Sequence, residues 1–201
     1  IIMSMLNRRW EFWVLIMACH KIGAVLIPAT YMLTPKDISY RINGAGAKGL
    51  VSINEDSVIE CIDKAKKDMP EDMIYFTIGE RNGYIDFDKA FADFSDKLER
   101  VDTDINDELL IYFTSGTTGY PKMVAHNHLY PLGHIYTAVY WHGVVDDGLH
   151  FTSAETGWAK CSWGKLYGQW IAGTALFVYD YFGRFAPTDL LKHIPEYKIT
   201  T

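Results

Sequence analysis

Ala24-Val25-Leu26-Ile27-Pro28, then Thr34-Pro35, then Gly49-Leu50-Val51-Ser52-Ile53 is the succession on which the fold turns. The first run is short, β-branched and apolar throughout, the pattern of a strand covered on both faces, and Pro28 ends it. Thr34 as N-cap and Pro35 at the first helical position open a helix through Asp37, Ile38, Tyr40, Arg41 and Ile42 to Gly44. Gly49 to Ile53 is strand again. Upstream, Trp10, Trp13, Val14, Met17 and Ala18 recur at spacings of three and four between Asn7 and Ile22, a helical period, with Gly23 at the C-cap position. Downstream, Asp56 to Lys67 reads as helix, Met73 to Ile78 as strand and Asp86 to Leu98 as helix. This alternation predicts an α/β domain with a largely parallel sheet.

The stretch Glu99 to Glu108, with Asp102, Asp104 and Asp107, is polar and nearly aperiodic, so it is either a linker or a surface loop. It divides a first α/β portion, 1–98, from a second, 109–201. There the strand Leu109-Leu110-Ile111-Tyr112-Phe113 is followed by a strand or extended segment at Met123 to Ala125 and a helix from Leu129 to Trp141. A strand near Leu149 to Thr152, a helix from Trp158 to Ile171, a strand from Thr174 to Val178 and the start of a helix at Pro187 to Ile194 complete the pattern. The sheet is expected to continue past Thr201.

With 201 residues, 49% of them hydrophobic and 22% charged, the chain has enough apolar material for a core, which excludes intrinsic disorder. Its 25 acidic against 19 basic residues leave a net charge of −6 and no footprint for a phosphodiester backbone, so nucleic acid is not an expected partner. Cys19, Cys61 and Cys161 are far apart and form no C-x-x-C pair, which indicates neither a disulfide framework nor a zinc ribbon and fits a reducing cytoplasm. The longest apolar run, Phe12 to Cys19, is too short for a membrane span of about 20 residues and reads as a buried amphipathic helix. The start at Ile1 rather than Met suggests a piece of a longer protein.

The chemistry is concentrated in Thr114-Ser115-Gly116-Thr117-Thr118-Gly119-Tyr120-Pro121-Lys122, where a strand runs into glycines, hydroxyl side chains and a lysine. Glycines let backbone N–H groups approach phosphate oxygens, hydroxyls add hydrogen bonds, and the lysine supplies a compact positive charge. A Gly/Thr-rich surface turn is the alternative that composition alone leaves open. The loop is not the G-x-x-x-x-G-K-[ST] of P-loop NTPases, because Pro121 stands five places beyond Gly116 and Met123 follows Lys122.

At every fixed position the loop resembles the signature T-S-G-T-T-G-x-P-K of the adenylate-forming superfamily of acyl-CoA synthetases, luciferases and peptide-synthetase adenylation domains. Trp10 to Pro28, Leu33 to Ile38, Met123-Val124-Ala125-His126 and Ala154-Glu155-Thr156-Gly157-Trp158 are similar to further family segments. Tyr31 to Arg41 and Pro121 to Val124 point to its medium-chain acyl-CoA synthetases. The resemblance implies a fragment, 1–201, of the large N-terminal domain of an enzyme that activates a carboxylic acid with ATP, releases pyrophosphate and passes the acyl group to CoA. It implies that Thr114 to Lys122 orders the β- and γ-phosphates, with Lys122 catalytic, and that Gly157 and Trp158 lie at the acyl pocket. The family's Mg²⁺ and α-phosphate residues, its ribose aspartate and its small C-terminal domain with the adenylation lysine would lie beyond Thr201. An adenylation domain serving a carrier protein and a non-catalytic binding module are the alternative readings.

Other residues have plainer readings. His126 and His128 lack a third ligand at fixed spacing and are expected to pack. Trp163 and Trp170 are expected in the core, whereas Trp158, at the start of its helix, is expected to face substrate. Asp102, Asp104 and Asp107 read as a solvated loop.

Overall fold

The structure is a computed structural model that describes all residues except Asp93 and Gly116 to Thr118. Its framework is a seven-stranded sheet ordered β5-β4-β3-β1-β2-β6-β7. The strands are β1 (Ile2–Met5), β2 (Leu26–Pro28), β3 (Gly49–Ser52), β4 (Ile74–Thr77), β5 (Ile85–Asp86), β6 (Glu108–Thr114) and β7 (Lys122–Asn127). Among the described residues only the β6–β7 pair is antiparallel, so the predicted α/β class with a largely parallel sheet is what the chain adopts. The helices α1 (Glu11–Lys21), α2 (Pro35–Ala45), α3 (Asp56–Lys66) and α4 (Phe87–Ala92) alternate with these strands.

The two faces of the sheet bury separate cores. Met3, Met5, Ile27 and Leu50 pack with Ile38 and Ile42 of α2 and Ile59 and Ile62 of α3. Leu26, Val51, Leu110 and Tyr112 pack on the other face with Phe12, Ile16 and Cys19 of α1. α2 begins as its sequence predicts: Thr34 and Asp37 form a reciprocal capping box, Pro35 follows, and the helix ends on Gly46 in the left-handed region, two residues beyond the expected Gly44. α4 ends at Ala92, six residues short of the expected Leu98, with Asp86 in β5, and the chain through 107 leads to β6, which returns to the same sheet beside β2.

Several expectations are corrected. β1, the strand between β2 and β3, goes unpredicted, although Ile1 to Leu6 is almost wholly apolar. On α1 the side turned to the sheet carries Phe12, Leu15, Ile16 and Cys19; Trp10 and Ala18 are exposed, because the helix is apolar nearly all round and only one side meets the sheet. The expected helix 129–141 is a short α5 (Tyr130–Gly133) followed by a π-helix (Thr137–Trp141), Pro131 and Gly133 being poor helix formers. β8 (Leu149–His150) and β9 (Ala175–Leu176) form a second, two-stranded sheet, with Thr200 and Thr201 bonded to the free side of β8. The expected helix 158–171 is broken at Leu166 into α6 (Ala159–Lys165) and α7 (Tyr167–Ile171). Trp163 is half-buried between His134 and His142 and Trp170 is exposed, so neither is a core residue. The last helices are α8 (Pro187–Leu191) and α9 (His193–Glu196). No helix among the described residues is long and apolar enough to cross a membrane.

Candidate functional site

In open α/β sheets the carboxyl ends of parallel strands meet loops rather than the next strand, so ligands bind there. Two predicted segments lie at that edge on neighbouring strands. The first leaves the end of β6, where Thr114 stands directly across from Lys122 of β7 in the antiparallel register. Gly116, Thr117 and Thr118 lie outside the described residues; Ser115, Gly119, Tyr120 and Lys122 are exposed. Gly119 has φ +106°, a conformation open to glycine and strained for other residues, and nothing among the described residues lies within 4 Å of where a Cβ would sit. Its requirement is therefore for backbone shape.

The limb leading out of the loop is fastened by α2. The Tyr40 hydroxyl donates to the Pro121 carbonyl at 3.1 Å, and the Tyr40 ring stacks on Tyr120 at 5.0 Å. Lys36 lies 5.1 Å from the Tyr120 ring, and hydrogen bonding to Tyr120 raises its pKa. Arg41 lies 5.1 Å from the Phe113 ring; burial lowers its pKa against the pull of Asp37. The Lys122 ammonium has no hydrogen bond or ion pair with a described residue. A cation exposed beside a strand end with no described partner is available to a polyanion.

The second segment, 152–158, is laid across the ends of β1 and β2. Arg8 Nε donates to the Ser153 carbonyl at 3.1 Å, and the Thr156 hydroxyl donates to the Asn7 carbonyl. Asn7 adopts φ +53°, a turn that an asparagine tolerates better than most residues. A Cβ at Gly157 would lie 2.2 Å from the Thr30 nitrogen, so the close approach this glycine permits is to the chain's own backbone just past β2. Trp158 is 58% exposed and lines a cavity of about 310 Å³ with Arg8, Tyr31, Met32, Glu155 and Lys160. Glu155 is 4% exposed; Oε1 accepts from the Gly157 N–H at 3.3 Å, and Oε2 has no partner among the described residues. Burial raises its pKa, opposed by hydrogen bonding from Thr30 and Gly157.

Sequence reading missed Arg8, Tyr40 and Glu155. Glu155 was within reach, as the acidic member of Ala154 to Trp158; the other two are joined to the site only by the fold. A groove of about 720 Å³ runs elsewhere, along Trp10 and along Val14 and Met17 of α1 against Trp170 and Leu176. Apart from Trp10, in the loop after β1, its lining comes from α1 and residues 170–178 and not from the turn 152–158 or from Thr114 and Lys122, so it is separate from the site. His126 packs on Tyr130 at 4.3 Å and His128 faces His20 at 6.2 Å. Among the described residues no group of three or more His, Cys, Asp or Glu is placed to hold a metal ion. Cys19 and Cys161 are free and buried, and burial pushes both thiols up to about 12.

Comparison with known proteins yields a consistent set. The profile of the family described as AMP-binding enzyme matches residues 1–201. The chain is 32% identical over 202 residues to the mitochondrial acyl-coenzyme A synthetase ACSM3 of Mus musculus, covering 99% of this chain and 34% of the relative. It is 31% identical to the mitochondrial ACSM5 of Homo sapiens, with the same coverage of each chain. It thus spans about a third of the length of these curated relatives. The crystal structure of an acyl-CoA synthetase of Brucella canis superposes with TM-score 0.85 at 24% identity, over 99% of this chain and 36% of that one. An anthranilate CoA ligase solved with anthranoyl-AMP gives TM-score 0.89 at 22% identity, over 99% and 38%. At these identities the two structures speak for the fold.

Proposed function

The chain belongs to the AMP-binding enzyme family, and we propose that it is the phosphate-loop and acyl-pocket part, within the large domain, of an AMP-forming carboxylate–CoA ligase for a short- or medium-chain fatty or related acid. The carboxylate oxygen attacks the α-phosphorus of ATP, the bond to the β-phosphate bridge breaks, and pyrophosphate leaves. The CoA thiol then attacks the acyl carbon, giving the thioester, AMP and a proton. Negative charge grows on the departing pyrophosphate, and a fixed cation with glycine-opened backbone N–H groups is the arrangement that stabilises it. Lys122 supplies that cation, and the loop Thr114 to Pro121, pinned by Tyr40, supplies the frame. Gly157 seats the turn that presents Trp158 as a wall of the acyl slot.

The observation that carries this reading is the Lys122 ammonium, without a partner among the described residues, across from Thr114 of β6, the strand that borders β2, at whose end the Trp158 turn is seated. On this reading the residues that would hold Mg²⁺ lie beyond Thr201. Partners are the carboxylic acid, ATP and CoA, with no nucleic acid expected of so acidic a chain. The free cysteines favour a reducing compartment, and we place the protein in the cytoplasm; the mitochondrial location belongs to the relatives' names. Imaging a tagged full-length protein decides the location. For the activity, full-length protein is given ATP, Mg²⁺, CoA and acids from acetate to octanoate. Acyl-CoA and AMP in equal amounts are expected; ADP as product, or no thioester with any acid, would contradict the proposal.

A further inference from the structure

Lys165, the last residue of α6, is wholly buried. It makes no ion pair with a described residue. Its Nζ donates to the Thr152 carbonyl at 3.0 Å and lies 5.5 Å from the Trp13 ring and 5.1 Å from the Phe151 ring. Burial pulls its pKa down to about 8, with the Cys161 thiol opposing and Arg8 adding to the fall. A lysine enclosed in this way is disfavoured against a methionine of similar volume, because the ionised group loses its hydration and gains no carboxylate. What the ammonium does that a hydrocarbon could not is hold a backbone carbonyl.

That carbonyl stands at the entrance of the turn that ends in Trp158, and Lys165 stands at the far end of the helix that Trp158 begins. The hydrogen bond therefore ties the two limbs together behind the turn. The opposite side is already held by Arg8 on the Ser153 carbonyl, by Thr156 on the Asn7 carbonyl and by the contact of Gly157 with Ala29 and Thr30. We propose that Lys165 is a positioning residue for the carboxylate pocket: by holding Thr152 from within, it fixes the turn 152–158 and hence the place of the Trp158 ring. The consequence for catalysis rests on the reading of Trp158 as a pocket wall; the clamp itself does not.

The test uses full-length protein carrying Lys165→Met or Lys165→Gln. Backbone amide exchange over 153–158 reports the turn without reference to any reaction, and KM for the carboxylate against KM for ATP reports the pocket. Lys165→Met should speed exchange over 153–158 and raise the carboxylate KM, each about tenfold, with the ATP KM within about twofold. Lys165→Gln keeps a donor and should recover part of both. Unchanged exchange in Lys165→Met overturns the proposal whatever the enzyme does, as does a Gln variant that exchanges like the Met variant. A lower kcat and melting temperature with an unchanged carboxylate KM is the outcome of an ordinary core residue and also overturns it. Faster exchange in a protein whose wild type has no ligase activity supports the clamp and removes the functional reading instead. Should Lys165→Met fail to fold, Phe151→Leu strips one ring from around the ammonium and must speed the same exchange; no change there overturns the proposal.

Discussion

Lys122 stands where the two limbs of the loop close, paired across the strands with Thr114 and with no described partner to neutralise it. A preorganised cation at a developing anion contributes about 2–4 kcal/mol to the transition state, roughly 10²–10³ in rate. Lys122→Ala in the full-length protein should therefore slow adenylate formation by that factor and leave the melting temperature nearly unchanged, since the side chain is exposed; an unchanged single-turnover rate would remove Lys122 from the mechanism. Trp158 is a different case. Buried in a core, its loss would cost about 3–5 kcal/mol of stability, but at 58% exposure that price does not apply. Trp158→Ala should instead alter the preference among acetate, butyrate, octanoate and benzoate, each methylene accommodated or lost being worth about 1 kcal/mol. A uniform fall on every acid with a lower melting temperature would sink the pocket assignment. These two residues were legible because their sequence neighbours carry them: a lysine closing a glycine–hydroxyl loop, a tryptophan after Gly157. Lys165 and Arg8 were not, because what distinguishes them is a bond to a carbonyl more than ten residues away and, for Lys165, burial.

Among the elements, α2 links stability to the site most directly. Its capping box sets where the helix starts, and the start sets which side Tyr40 faces. Tyr40→Phe removes the hydrogen bond to the Pro121 carbonyl and keeps the ring on Tyr120. The expected loss is about 1 kcal/mol, a roughly fivefold rise in KM for ATP with the carboxylate KM unchanged. Equal rises in both constants would show that α2 acts on the whole fold rather than on the loop. The start of α2 was readable from Thr34, Pro35 and Asp37 because capping is local chemistry. The break at Leu166 was not: Gly164 and Gly168 weaken the helix, but where it breaks depends on packing against other elements, and a Cβ at Gly168 would meet the His134 carbonyl at 2.2 Å. On α1 the helical period was right, but of the residues that carried it only Trp13 is buried, because an apolar residue announces that it can be buried without saying against what.

Across the whole molecule, alternation in sequence predicted the parallel sheet, yet β1, which joins its two halves, escaped notice, and the short strands β8 and β9 gave no sign of a sheet of their own. The chain leaves much aromatic surface open: Tyr140 and Trp141 are each 80% exposed, and Trp10 and Trp170 line the groove of about 720 Å³. Exposed rings beside an apolar groove offer a surface for association. The 201-residue chain produced alone should therefore self-associate, read as scattering that grows with concentration, and should form no acyl-CoA; a monodisperse, active chain would contradict its reading as part of a larger domain. The central claim is that this chain helps a carboxylate attack the α-phosphorus of ATP with pyrophosphate as leaving group. Exchange of labelled pyrophosphate into ATP by the full-length protein, without CoA, isolates that step. Exchange that appears only when a carboxylic acid is added is the predicted result; exchange that ignores the acid, or none with any acid from acetate to octanoate, would contradict it.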